Sequence, residues 1–205
     1  MPFLPYGAGS QSWPGLVGGD GQEYGAAAVY GAEMNPNQLL REIIEPVLNR
    51  FDAGLWKQGW PVKEYLGSQD AKILLLNTAL HESEGLQYIR QRPSGPGRSF
   101  WQIEGDTAKW IVLQYLPASG RYDMYQAFKS AVGWSPDTEE ILWRVTSDLG
   151  FACAVARLVY YTAKAPLPPW GDLGAQAAYW NRFYQKGGED AAKQADFIAD
   201  CKRYG

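Results

Sequence analysis

Histidine occurs once in the 205 residues, at His81, and cysteine twice, at Cys153 and Cys201. This scarcity excludes more chemistry than any motif suggests. A zinc hydrolase needs several nitrogen, sulfur or carboxylate ligands, and a serine or cysteine nucleophile usually needs a histidine base beside it. One histidine cannot fill a zinc shell, so no metal and no cofactor are expected. The two cysteines lie far apart and cannot form a disulfide framework. They read as ordinary thiols, with one bridge between them as the alternative. There is also no block of charge of one sign: the formal net charge is -3. A chain of this balance carries no basic footprint for nucleic acid and no polybasic membrane patch. No run approaches the roughly 20 apolar residues of a membrane span. The opening MPFLPYGAGSQSWPG lacks the basic start and apolar stretch of a secretory signal, so export by the general route is not expected.

What the chain does have is a hydrophobic content of 46%, enough for a full core in one domain, or in a domain plus an arm. Residues 1–34 are rich in glycine, carry Tyr6, Trp13, Tyr24 and Tyr30, and have few charges. Such a segment cannot build a core of its own. It reads as an extended arm, either draped over its own domain or docked on a larger assembly, and residues 35–205 read as the folded domain.

Helical periodicity dominates that domain. Asn35 and Pro36 open a helix in which Leu39, Leu40, Ile43, Ile44, Val47, Leu48 and Phe51 share a face, with Pro46 predicted to kink it. Ser68 or Asp70 caps a second helix through Ile73–Leu76 and Ala79–Leu80, which ends near Glu82 with Gly85 as its stop signal. Thr107–Leu116 is predicted helical, and Ser135, Pro136 and the acidic residues after them make a strong helix start. The run Asp148–Thr162 is apolar nearly all round, as a central buried helix must be. A proline-rich connector over 165–172 precedes two final helices flanking Gly187 and Gly188. The expected class is mainly α with a small β region.

The stretch HESEGLQYIRQRPSGPGRSFWQIE, His81–Glu104, concentrates the chemistry. A carboxylate at the C-terminal end of an apolar helix faces the negative end of the helix dipole, and a partly dry cleft adds desolvation. Both raise its pKa, so Glu82 can hold a proton at neutral pH, as protonation of a glycosidic oxygen requires. A strand over Ser99–Glu104 would put Phe100, Gln102 and Glu104 on one face and Ser99, Trp101 and Ile103 on the other. Polar Gln102 and Glu104 would then line the cleft, with Glu104 available as the second carboxylate of a hydrolase. Among the nine tryptophans, most are expected in the core, and Trp101 is the first choice for a platform on which a sugar stacks. Arg98 is a candidate clamp for a substrate carboxylate, with a surface ion pair as the competing role. Asp148 is better placed to cap the central helix than to act in catalysis.

Glu82-Ser83 followed by an aromatic segment ending in Gln102 resembles the goose-type lysozyme and lytic transglycosylase superfamily. GPGRSFWQIE, Gly95–Glu104, and ARLVYYTAKAPLPPWGD, Ala156–Asp172, are similar to two segments of a bacteriophage virion-associated lysozyme-like family. The matched parts span roughly 73–185; residues 1–34 lie outside them. The resemblance implies a lysozyme-like helical domain that cleaves the bond between N-acetylmuramic acid and N-acetylglucosamine during penetration of the cell wall. It implies Glu82 as general acid/base, Ser83 as a neighbour that orients the cleft, and Phe100, Trp101 and Gln102 as substrate contacts. It further implies synthesis in the host cytoplasm, residence in the phage particle and glycan strands as partner; on the docking reading of the arm, other tail or virion proteins are the partners of residues 1–34. Two departures stand out: Ser99 replaces a small glycine, and the helix exit is one residue longer, which makes Glu84 a rival acid. A structural virion component without activity and a free endolysin are the alternative functions.

Overall fold

The computed structural model describes residues 34–61, 66–118, 120–133, 138–185 and 188–205. Met34–Gly205 forms one compact unit. Residues 1–33 of the expected arm lie outside the described residues, and Met34 belongs to the folded unit. With 66% helix and 3% strand among the described residues, the fold is mainly α.

Asn35 caps the first helix as its sequence position predicts, in a reciprocal box in which its side chain accepts from the Gln38 amide at 3.0 Å and Gln38 Oε1 accepts from the Asn35 amide at 3.1 Å. The helix then runs as α1 (Pro36–Gln38), a π-helical stretch over Leu39–Ile44, and α2 (Glu45–Lys57). The expected kink at Pro46 takes this π form. Proline offers no amide hydrogen and its ring crowds the preceding turn, so the turns before it widen, and the Glu45 amide reaches back to the Leu40 carbonyl.

Ser68 caps α3 (Gln69–Glu82) by accepting from the Ala71 amide. Asp70, its rival for that role, instead accepts from the Trp170 amide at 2.8 Å and ties the proline-rich connector to α3. The helices α4 (Gly105–Trp110), α5 (Tyr122–Val132) and α6 (Thr138–Ser147) follow, with a second π-helical stretch, Ile111–Tyr115, after α4. The expected capping residues of α6 lie outside the described residues.

Helix α7 (Leu149–Tyr161) is the predicted central helix: Phe151 through Tyr160 are all buried, and α2, α3, α5 and α6 pack around it. Asp148 caps it, accepting from the Phe151 amide at 2.9 Å and pairing with Arg144 at 2.7 Å. The last helices, α8 (Leu173–Phe183) and α9 (Ala191–Tyr204), share a small apolar cluster of Ala177, Trp180, Phe197 and Cys201, and α9 also packs on α3. Both cysteines are free thiols in buried positions.

The β region departs from expectation. Strands β1 (Gly97–Arg98) and β2 (Ile103–Glu104) pair antiparallel, Gly97 with Glu104 and Arg98 with Ile103. Ser99–Gln102 is therefore the turn of a hairpin, not the body of a strand. Ser99 and Gln102 take positive φ, 60° and 46°. Ser99, the residue before Phe100, is thus in a conformation that glycine adopts without strain.

Candidate active site

The end of α3 is held open by a tight unwinding turn. The Gly85 amide reaches the Leu80 carbonyl at 2.8 Å, and Glu84, Gly85 and Leu86 all have positive φ. Gly85 is required twice over, by its φ of 78° and by space, because a Cβ there would lie 2.5 Å from the Tyr204 ring of α9. Ser83 is fully buried inside this turn; its hydroxyl donates to the Ala79 carbonyl at 2.6 Å and accepts from the Leu86 amide at 3.0 Å. It shapes the exit that carries Glu82 from within, closed off from solvent.

Glu82 then turns toward α8. Its Oε1 accepts from Trp180 Nε1 at 2.9 Å and from Gln185 Nε2 at 3.1 Å. Burial pushes its pKa above the ordinary 4.5, and this outweighs the two donated hydrogen bonds and the neighbouring His81, which all act in the opposite direction. Both donors converge on Oε1, leaving Oε2 as the other oxygen of the carboxyl. His81 is tied to α9: its Nδ1 lies 2.7 Å from Asp200 Oδ2, and its ring meets Trp180 edge-on at 4.5 Å. The one histidine therefore braces the tryptophan that holds the acid.

A cavity of about 310 Å³ opens beside Glu82, lined also by Gln102, Glu104, Thr107, Tyr184 and Gln185. This is at the small end of ligand sites, which run from roughly 300 to 1,000 Å³. The hairpin turn brings Gln102 there. Its Nε2 donates to the Ser99 carbonyl at 2.7 Å, and its Oε1 is buried without a partner. Glu104 is exposed and forms another part of the wall.

Of the predicted residues, the fold therefore gathers Glu82, Gln102 and Glu104 around one cavity. It takes others away. Trp101 has no exposure; its Nε1 donates to the Leu75 carbonyl at 2.9 Å, and its own carbonyl accepts from Tyr184 Oη at 2.8 Å. It pins the hairpin to α3 and cannot stack on a sugar. Phe100 is likewise in the core. A four-residue turn does not alternate its side chains between two faces, so both aromatic rings point inward. Arg98 spends Nη1 on the carbonyls of Gly95 and Gly97 and lines a separate depression with Trp143. It does not line the cavity beside Glu82. Glu84, the rival acid, is exposed and accepts from Tyr88 Oη at 3.1 Å, away from the cavity.

Trp180, Tyr184, Gln185 and Thr107 were not among the expected site residues. Trp180 lies 98 positions beyond Glu82, and nothing local to α8 marks it as the partner of an acid.

No protein family, characterised protein or solved structure matches this chain. What the site can do is therefore read from its own atoms. A neutral carboxyl facing a polar cavity can donate a proton to a leaving oxygen, and a second, solvated carboxylate can accept one from water.

Proposed function

We propose that this protein cleaves the glycosidic bond between N-acetylmuramic acid and N-acetylglucosamine in peptidoglycan, as a component of a phage particle that opens the cell wall. The reading is carried by the Glu82 carboxyl, whose pKa is raised by burial and which faces a cavity walled by Gln102 and Glu104. Glu82 Oε2 protonates the glycosidic oxygen as the bond breaks. Trp180 and Gln185, both donating to Oε1, hold the carboxyl in position and stabilise the anion left after proton transfer. Gln102 hydrogen-bonds the glycan. In a hydrolytic route Glu104 activates water; in an intramolecular route a sugar hydroxyl takes the place of that water and Glu104 is dispensable.

Gel clearing of purified peptidoglycan by the wild type and by Glu82→Gln tests the reading. Loss of the general acid should lower the rate at least about a hundredfold. Equal clearing by both proteins, or none by either, removes the catalytic role and leaves a structural virion component. Mass spectrometry of the released fragments separates hydrolysed from anhydro ends. The same method applied to purified particles tests residence in the virion, and absence there favours a free endolysin.

A further inference from the structure

A second cavity, of about 570 Å³, is lined by a different set of residues from the one beside Glu82. Its walls are Trp60 after α2, Tyr115, Met124 of α5, Tyr160 of α7 and Leu167 of the proline-rich connector. Three cations reach it: Arg121, Arg157 and Lys164. Arg157 is the decisive one. It is only 5% exposed, its Nε donates to the Leu66 carbonyl at 2.8 Å, and its Nη1 is buried without a hydrogen-bond partner among the described residues. Among the described residues no carboxylate forms an ion pair with it. The carboxylate that acts on it electrostatically, Asp52, is engaged with the amides of Leu66 and Gly67 at 2.6 and 2.9 Å.

A guanidinium taken out of water without acceptors for its hydrogens is costly, and a fold keeps one where something else supplies those acceptors. A carboxylate matches the guanidinium fork in shape as well as charge. Arg121 lies 4.2 Å over the Tyr115 ring, and the exposed Lys164 lines the cavity. The cavity is far larger than a carboxylate group, and its aromatic and aliphatic walls suit an apolar body. We infer that this cavity is a binding site for a small organic carboxylate with an aromatic or apolar body, its head group seated on Arg157 and Lys164. The site stands whether or not Glu82 is catalytic.

Isothermal titration of the full chain with N-acetyl-phenylalanine, its uncharged amide, and inorganic phosphate tests the assignment. The acid should bind at least tenfold more tightly than the amide and more tightly than phosphate. Lys164→Gln, a surface change that leaves the core intact, should weaken the acid several-fold without affecting the amide. Arg157→Gln should remove the preference for the acid, with its circular dichroism confirming that it remains folded. Equal affinity for acid and amide overturns the inference, since the cavity would then be merely apolar. No binding by the wild type, tighter binding of phosphate than of the acid, or acid binding indifferent to Lys164→Gln overturns it as well.

Discussion

At the scale of single residues, the protonation of Glu82 has a consequence for stability that is independent of any substrate. Its pKa is raised in the folded chain, chiefly by burial. Between the ordinary value of 4.5 and the folded value, the native state therefore binds more protons than the unfolded state. Stability is greatest below that window and falls as pH rises through it. Glutamine at this position keeps the Oε1 acceptor for Trp180 and Gln185 but has no charge to bury. Glu82→Gln should accordingly melt higher than the wild type at neutral pH, with the gap closing on acidification toward about pH 4. Melting curves of both proteins across this range check it; a gap that does not change with pH would mean that Glu82 titrates normally. Removing the proposed proton donor should thus stabilise the fold.

Helices α2 and α5 pack closely where Gly54 meets Ala127. A Cβ at Gly54 would lie 2.8 Å from the Cα of Ala127, a backbone atom that cannot swing aside. In an exposed helix a glycine-to-alanine change gains about 1 kcal/mol. Here the gain is set against forced separation of two packed helices, a strain of about 1–3 kcal/mol. Gly54→Ala should therefore lose on the order of 1 kcal/mol in urea denaturation, the reverse of what helix propensity alone dictates. A variant as stable as the wild type would show that α2 and α5 can slide. This pair also frames the second cavity, since Trp60 follows α2 and Met124 sits on α5. A displaced helix would change that cavity without touching Glu82.

Over the whole molecule, the two thiols report how the unit is held together. Cys153 lies in the buried run of α7, whereas Cys201 belongs to the small cluster between α8 and α9. Burial raises both thiol pKa values, Cys201 to about 12. Neither should react with a disulfide reagent in the closed state. Cys201 should be labelled first, by local opening of α9, with weak urea dependence, and Cys153 only with global unfolding and steep dependence. Identical rates and slopes for the two would make α9 an inseparable part of the core. Because α9 carries Asp200, which holds His81 against Trp180, opening of this helix should also loosen the acid.

The same scale separates what was legible in the chain from what was not. Asn35, Ser68, Asp148 and the apolar run of α7 declared their helices through capping chemistry and periodicity, which are local properties of consecutive residues. Glu82 declared itself as the end of an apolar helix for the same reason. Whether Trp101 stacked on substrate or filled the core was not local: four residues between two short strands can present either face, and packing against Leu75 and Tyr184 turned it inward. Sequence alone determined a mainly helical unit and an acid at the exit of α3, because helix formation and termination depend on neighbours in the chain. Tertiary structure alone decided what surrounds that acid and where Arg157 is buried, because desolvation and hydrogen-bond partners come from residues about a hundred positions away.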